Sequence, residues 1–236
     1  MESASQALVC MDYLHCEELC LNALAMARRI GDWPSYGRVL MPLQEARRQR
    51  RMIAAEGVIR LGSASLNGEP PAWLDQMKSG CLVLTPPHTV DHALRLVQLA
   101  CKQRQYVEVI FADGDVTDNS WLLQSFTGSA VNCTVAAPAA DCCDRWLTSD
   151  ATEPASLQHH GRPADGCASD EPDPHSLASD WFLNSCEALG DAALDHVTAA
   201  SGSVERIIQL EQCLEAVTDH EILHQRLGDA ARAVRT

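Results

Sequence analysis

Lysine is nearly missing from this chain: Lys78 and Lys102 are the only two, and every other basic residue is arginine. Against 32 acidic residues this leaves a formal net charge of −14. That balance argues against nucleic acid or an anionic membrane as a partner, because contact with phosphate is driven by basic side chains. Aromatic residues make up 5% of the chain, so leucine, alanine, valine and cysteine must fill the core. No apolar run approaches the ~18 residues of a membrane span. The opening stretch, MESASQALVCMDYLHCEE, has no basic segment ahead of its apolar residues, so no secretory leader is expected. There is no CxxC among 11 cysteines, no GxGxxG, no GK[ST] and no GxSxG. Ribbon-type zinc sites, glycine-rich nucleotide cradles and the nucleophile elbow of hydrolases are therefore not expected, and no cofactor is assigned. The cysteines sit mostly within apolar stretches, as free thiols acting as small hydrophobes do. A reducing, cytoplasmic location follows as the expectation.

What is present divides into four segments. Residues 1–57 read as a helical hairpin, with apolar residues from Leu8 to Ile30 near the 3.6 period and a break at Gly31-Asp32-Trp33-Pro34. Pro42 should kink or split the second helix near Met41, since it lacks an N–H and its ring crowds the preceding turn. Residues 58–149 change period. CLVLT at 81–85, YVEVIFA at 106–112 and VNCTVAA at 131–137 read as strands, VIRL at 58–61 as an edge strand, residues 88–105 as an amphipathic helix and NSWLLQSF as a short helix. Together they predict a small parallel α/β layer of three to four strands. Residues 150–176 carry prolines and small polar residues with almost no large apolar ones, the composition of a flexible linker. Residues 177–236 return to helix. The fold class is thus mixed α/β, with helices at both ends.

The charge is uneven. Residues 1–60 hold eight arginines and seven acids, and the remainder carries the acidic excess. Arg47, Arg48, Arg50 and Arg51 in EARRQRR read as a solvated helix face, with docking of an acidic partner, including the acidic half of another copy, as the functional alternative.

The pentapeptide LGDAA occurs at 189–193 and again at 227–231, an offset of 38 residues. A helical repeat of about 34 residues with a Leu-Gly pair in its first helix is the tetratricopeptide signature. Leu189-Gly190 and Leu227-Gly228 stand where that family keeps its pair, and Gly31-Asp32-Trp33 resembles its turn between helices. The two ends of the chain therefore resemble degenerate tetratricopeptide repeats. Ala193 and Ala231 replace the family's aromatic, and its closing proline is missing. The resemblance implies binding of peptides or partner proteins.

His220, Glu221 and His224 spell HExxH, which on a helix places two imidazoles one turn apart for Zn²⁺. Leu227 and Ala230 occupy the positions of the extended motif's glycine and third histidine, leaving Asp229 or a distant histidine as third ligand. The repeat argues instead that both histidines face a packed interior. If the α/β layer binds a ligand, its site belongs at the carboxyl ends of the strands, where Thr85, His88, Asp113 and Asp115 stand. Cys142, Cys143, His159, His160, Cys167 and His175 could gather a metal around the linker, but their spacing matches no structural zinc pattern. The leading expectation is a non-enzymatic interaction protein that binds an unidentified protein partner or a second copy of itself. A small-molecule-binding α/β module is the alternative, and a zinc-dependent hydrolase is third.

Overall fold

The computed structural model describes residues 2–113, 119–149 and 173–234. Residues 150–172 of the expected linker, together with Asp115, His159, His160 and Cys167, lie outside that set.

The first helical stretch is divided. Helix α1 (Glu2–Val9) ends before Met11, which has a positive φ of 57°, and α2 (Tyr13–Ile30) starts on Asp12, whose carboxylate accepts from the His15 N–H at 3.2 Å. Gly31 closes α2 in the left-handed conformation at φ 72°. Asp32 then caps α3 (Trp33–Glu56), accepting from the Ser35 N–H at 3.0 Å. Helix α3 passes through Pro42 without ending, so of the expected kink or split the split does not occur. A mid-helix proline costs about 3 kcal/mol. Here α3 lies against α2, α8, β2 and β3, and this packing on several sides offsets that cost.

Strand β1 (Val58–Leu61), helix α4 (Pro70–Leu74), strand β2 (Ser79–Leu84), helix α5 (Val90–Gln103) and strand β3 (Tyr106–Asp113) form two consecutive βαβ units with parallel pairing. Both crossover helices cover the same face of the sheet, as two crossovers of one hand require when the strands step in one direction. Next come β4 (Ser120–Gln124) and β5 (Asn132–Ala136), giving the order β1-β2-β3-β4-β5. β4 occupies the stretch expected to be a short helix, and it runs antiparallel to both neighbours. Trp121 and Leu123 are buried while Ser120, Leu122 and Gln124 are half-buried, which is the alternation of a strand.

Alternation along the strands separates two cores. Leu82, Leu84, Val107 and Phe111 meet Trp73, Leu96 and Ala93 of the crossover side. Cys81, Val83, Ile110 and Ala112 face the opposite layer, an apolar cluster running from α1 to the C-terminal helices α6 (Pro174–Leu194), α7 (Val204–Ala216) and α8 (Glu221–Ala233). The two helical ends of the chain meet where α3 packs on α8.

The two LGDAA copies do different things. Gly190 lies in α6 under the ring of His220, and a Cβ there would sit 2.1 Å from His220 Cδ2. Gly228 lies in α8 with nothing nearer than 3.6 Å to an added Cβ. Gly190→Ala should therefore destabilise the fold by about 2 kcal/mol or more through overpacking. Gly228→Ala should be neutral or stabilising by up to ~1 kcal/mol, since alanine is the better helix former. Urea unfolding midpoints of the two variants check this; equal losses would contradict the assignment.

Candidate functional site

Thr85 and His88 do converge at the ends of β1 and β2, but on Ser63 rather than on an open pocket. Gly62, at φ 84°, turns the chain after β1 and leaves Ser63 fully buried. The Ser63 N–H donates to Thr85 Oγ1 at 3.0 Å, and the Thr85 N–H donates to Ser63 Oγ at 2.7 Å. His88 Nε2 donates to the Ser63 carbonyl at 2.8 Å, and its ring stands edge-on to Trp73 at 4.8 Å. This reciprocal set fastens two neighbouring strand ends together. Asp113 stands apart, exposed at the end of β3. Ser63 was the unforeseen member. Its only signal was a small hydroxyl directly after a strand and a glycine.

The HExxH histidines have unlike surroundings. His220 precedes the helix and caps it, its Nδ1 accepting from the Leu223 N–H at 3.4 Å. The proton must then sit on Nε2, which lies 3.4 Å from both Glu187 Oε2 and Asp191 Oδ1 of α6. His224 Nε2 donates to the Thr218 carbonyl at 3.1 Å, and its Nδ1 is buried without a hydrogen-bond partner. Glu221 is exposed, and Asp229 turns to Arg232 at 2.6 Å. His175 donates to the Gly57 carbonyl at 2.8 Å. Among the described residues no group of three histidine, cysteine, aspartate or glutamate side chains is placed to hold a metal ion. The pattern reads as zinc-binding only if both histidines share one helix face, and here the first is a cap.

The arginine run is mostly interior. Arg47, Arg50 and Arg51 fall one turn apart on the inward side of α3, and their side chains are 7%, 11% and 8% exposed. Arg47 Nε donates to Glu17 Oε1 at 2.7 Å, and its Nη1 donates to the Thr218 carbonyl at 2.9 Å. Arg50 pairs with the second oxygen of Glu17 and, at 3.5 Å, with Glu108 of β3. Arg51 pairs with Asp219 in the turn before α8 and lies 3.7 Å from Glu187. Arg48 alone is exposed, forked onto Glu45 at 2.8 and 3.0 Å. The solvated face expected of these four arginines, and with it a docking surface made of all four, is thus corrected for Arg47, Arg50 and Arg51. Three meet acids of their own chain, because a face buried by two helical layers leaves guanidinium groups no water and requires carboxylates instead.

An open groove does exist between α2, α3, α7 and α8, with a cavity volume of about 390 Å³. Leu21, Leu24, Leu40, Leu43, Leu214 and Leu227 line it, and Arg28, Arg29, Arg47, Tyr36, Glu211 and Glu215 supply its polar groups. The Tyr36 hydroxyl donates to Glu211 Oε1 at 2.7 Å, and Arg28 pairs with the other oxygen of that carboxylate. Burial, reinforced by the adjacent carboxylate, pushes the Tyr36 phenol pKa up, so the hydroxyl stays a donor. Arg29 is exposed and makes no ion pair among the described residues. The leucines run from Leu21 on α2 to Leu227 on α8, at opposite ends of the chain, which is why the groove escaped a reading by local pattern.

Two buried groups make stability depend on pH. Burial, with Arg47's charge adding to it, holds the His224 imidazole down to about 4. The unfolded chain, with a histidine pKa of about 6.5, then binds the proton more tightly than the fold does. The stabilisation is complete above that value and is lost as pH falls from 6.5 toward 4, by about 3 kcal/mol. For Glu17, burial opposes ionisation but the charges of Arg50 and Arg47 outweigh it, lowering the pKa below 4.5. Its share is present above 4.5 and is lost below that, at more acid pH than the histidine's share. His224→Gln, which keeps a donor for Thr218 and cannot titrate, should flatten the upper part of the profile while leaving the acid limb. Urea unfolding free energies measured from pH 7.5 to 3.5 test this, and an unchanged slope in the variant would refute it.

Comparison with protein-family models, with curated proteins and with solved structures finds no match to this chain.

Proposed function

We propose that this chain is a non-enzymatic protein-interaction module whose α2–α3–α7–α8 groove receives an apolar segment of a partner protein. The observation that carries this reading is the groove itself: a leucine floor of about 390 Å³ with exposed Arg29 at its margin, which has no ion pair among the described residues. A leucine-lined trough between helices suits the apolar face of an amphipathic segment, read as anchors at helical spacing. Arg29 adds a preference for a carboxylate flanking those anchors. The helical ends resembling tetratricopeptide repeats fit the same role, since such helices present concave binding faces. A reducing cytoplasmic setting suits the thiols, none of which is bridged among the described cysteines. The strand-end alternative has less support, because Thr85 and His88 are engaged with Ser63.

Selection of displayed peptides on the whole chain should yield sequences with leucine-type anchors and a neighbouring acidic residue. Leu21→Glu and Arg29→Glu change exposed side chains and should leave the fold intact. Each should weaken binding of the selected peptides by about tenfold or more, equivalent to ~1.4 kcal/mol. Sedimentation at increasing concentration asks whether a second copy is the occupant instead. Peptides that bind both variants as tightly as the parent chain would refute this use of the groove.

A further inference from the structure

A second cavity, separate from the groove, lies where the sheet is incomplete. On β3, strand β4 pairs with Phe111–Asp113 alone, so among the described residues the earlier part of β3 has no strand beside it on that edge. The space there measures about 170 Å³. Arg50, Arg51, Glu108, Phe126, Phe182 and Ala216 are among the residues lining it. Two features make it more than a packing gap. The Nε–H groups of both Arg50 and Arg51 are buried without a hydrogen-bond partner among the described residues. Leaving such donors unsatisfied is costly, so an acceptor in this space would be held firmly. Glu108, meanwhile, makes only a 3.5 Å contact with Arg50 and has oxygens able to accept from a donor.

The charge count sets what kind of acceptor is suitable. Arg47, Arg50 and Arg51 face the buried carboxylates Glu17, Glu108 and Asp219, with exposed Glu187 a further 3.7 Å from Arg51, so the network has no spare positive charge. An added anion would be a buried charge without a counterion, beside the Glu108 carboxylate. A neutral group with an acceptor next to a donor answers both demands: its oxygen takes the arginine N–H groups and its N–H₂ meets Glu108. The size is that of one ring, since an apolar cavity of ~150 Å³ holds a benzene molecule. Phe126 and Phe182 supply aromatic walls for such a ring.

We propose that this cavity at the open edge of β3 is a binding site for a small neutral carboxamide carried on an aromatic ring. The proposal does not depend on the peptide groove.

The test titrates benzamide into the whole chain and follows binding by NMR, with benzoate and toluene as comparators. Benzamide should bind saturably and show intermolecular NOEs to Phe126 and Phe182. Benzoate, which carries a charge and lacks the donor, and toluene, which lacks both polar groups, should each bind at least about tenfold more weakly. Ala216→Phe, which fills the space from the α7 side, should abolish the NOEs, while Ala216→Ser should keep them. If the Phe variant fails to fold, the NOEs in the parent chain decide the location. Absence of saturable binding, NOEs to other residues, or benzoate or toluene binding as well as benzamide would each overturn the proposal.

Discussion

Three guanidinium groups inside the molecule hold its parts in register. Arg47, Arg50 and Arg51 leave one side of α3 and reach carboxylates on three different elements: Glu17 on α2, Glu108 on β3, and Asp219 in the turn leading into α8. Hydrophobic burial brings these layers together but is indifferent to small rotations of one layer on another. Charge pairs with fixed donor geometry are not. Removing one member of such a set strands its partner in a place without water, which costs about 3–5 kcal/mol. The N-terminal helices, the sheet and the C-terminal helices therefore share a single electrostatic constraint, and α3 is where it is applied. The scarcity of lysine fits this arrangement. A guanidinium can serve two carboxylates and a carbonyl at once from a planar fork, whereas an ammonium is a single point charge that is costlier to dehydrate.

Much of the architecture was legible because it is local. Gly31 followed by Asp32 ended one helix and began the next where turn chemistry said it should. The short apolar runs at 58–61, 81–85 and 106–112 became adjacent parallel strands. Failures came where a local preference was outvoted or where two patterns competed. Pro42 did not split α3, which is packed on several sides. SWLLQ is short enough to suit helix and strand templates alike, and antiparallel pairing with both β3 and β5 makes it a strand. The break at Met11 rests on a left-handed residue that is not glycine, and such a position carries little sequence signal.

Side-chain sites were less legible, for a related reason. HExxH specifies a metal pair only if helix begins before its first histidine. Here His220 is drawn out as the cap, its ring fitting over Gly190, a residue 30 positions earlier. The repeated Leu-Gly thus owed its first glycine to a histidine belonging to the suspicious motif, a connection that needs both helices in place. Likewise the i, i+3, i+4 spacing of Arg47, Arg50 and Arg51 states that they share a face. Whether that face meets solvent or interior depends on Glu17, Glu108 and Asp219, which are scattered along the chain.

The same arginines also explain why the two cavities lie where they do. Arg47 lines the leucine groove, Arg50 and Arg51 line the space at the edge of β3, and Glu215 of α7 contributes to both. A buried ion network cannot be packed as densely as an apolar core, because its donors and acceptors fix distances that neighbouring side chains must accommodate. Space is therefore left on either side of it, walled by the apolar residues that exclude water from the charges. In this fold the side chains that set the register of the layers are also those that give each cavity its polarity. The shape and polarity of either cavity are consequently tied to the integrity of the whole α3 interface.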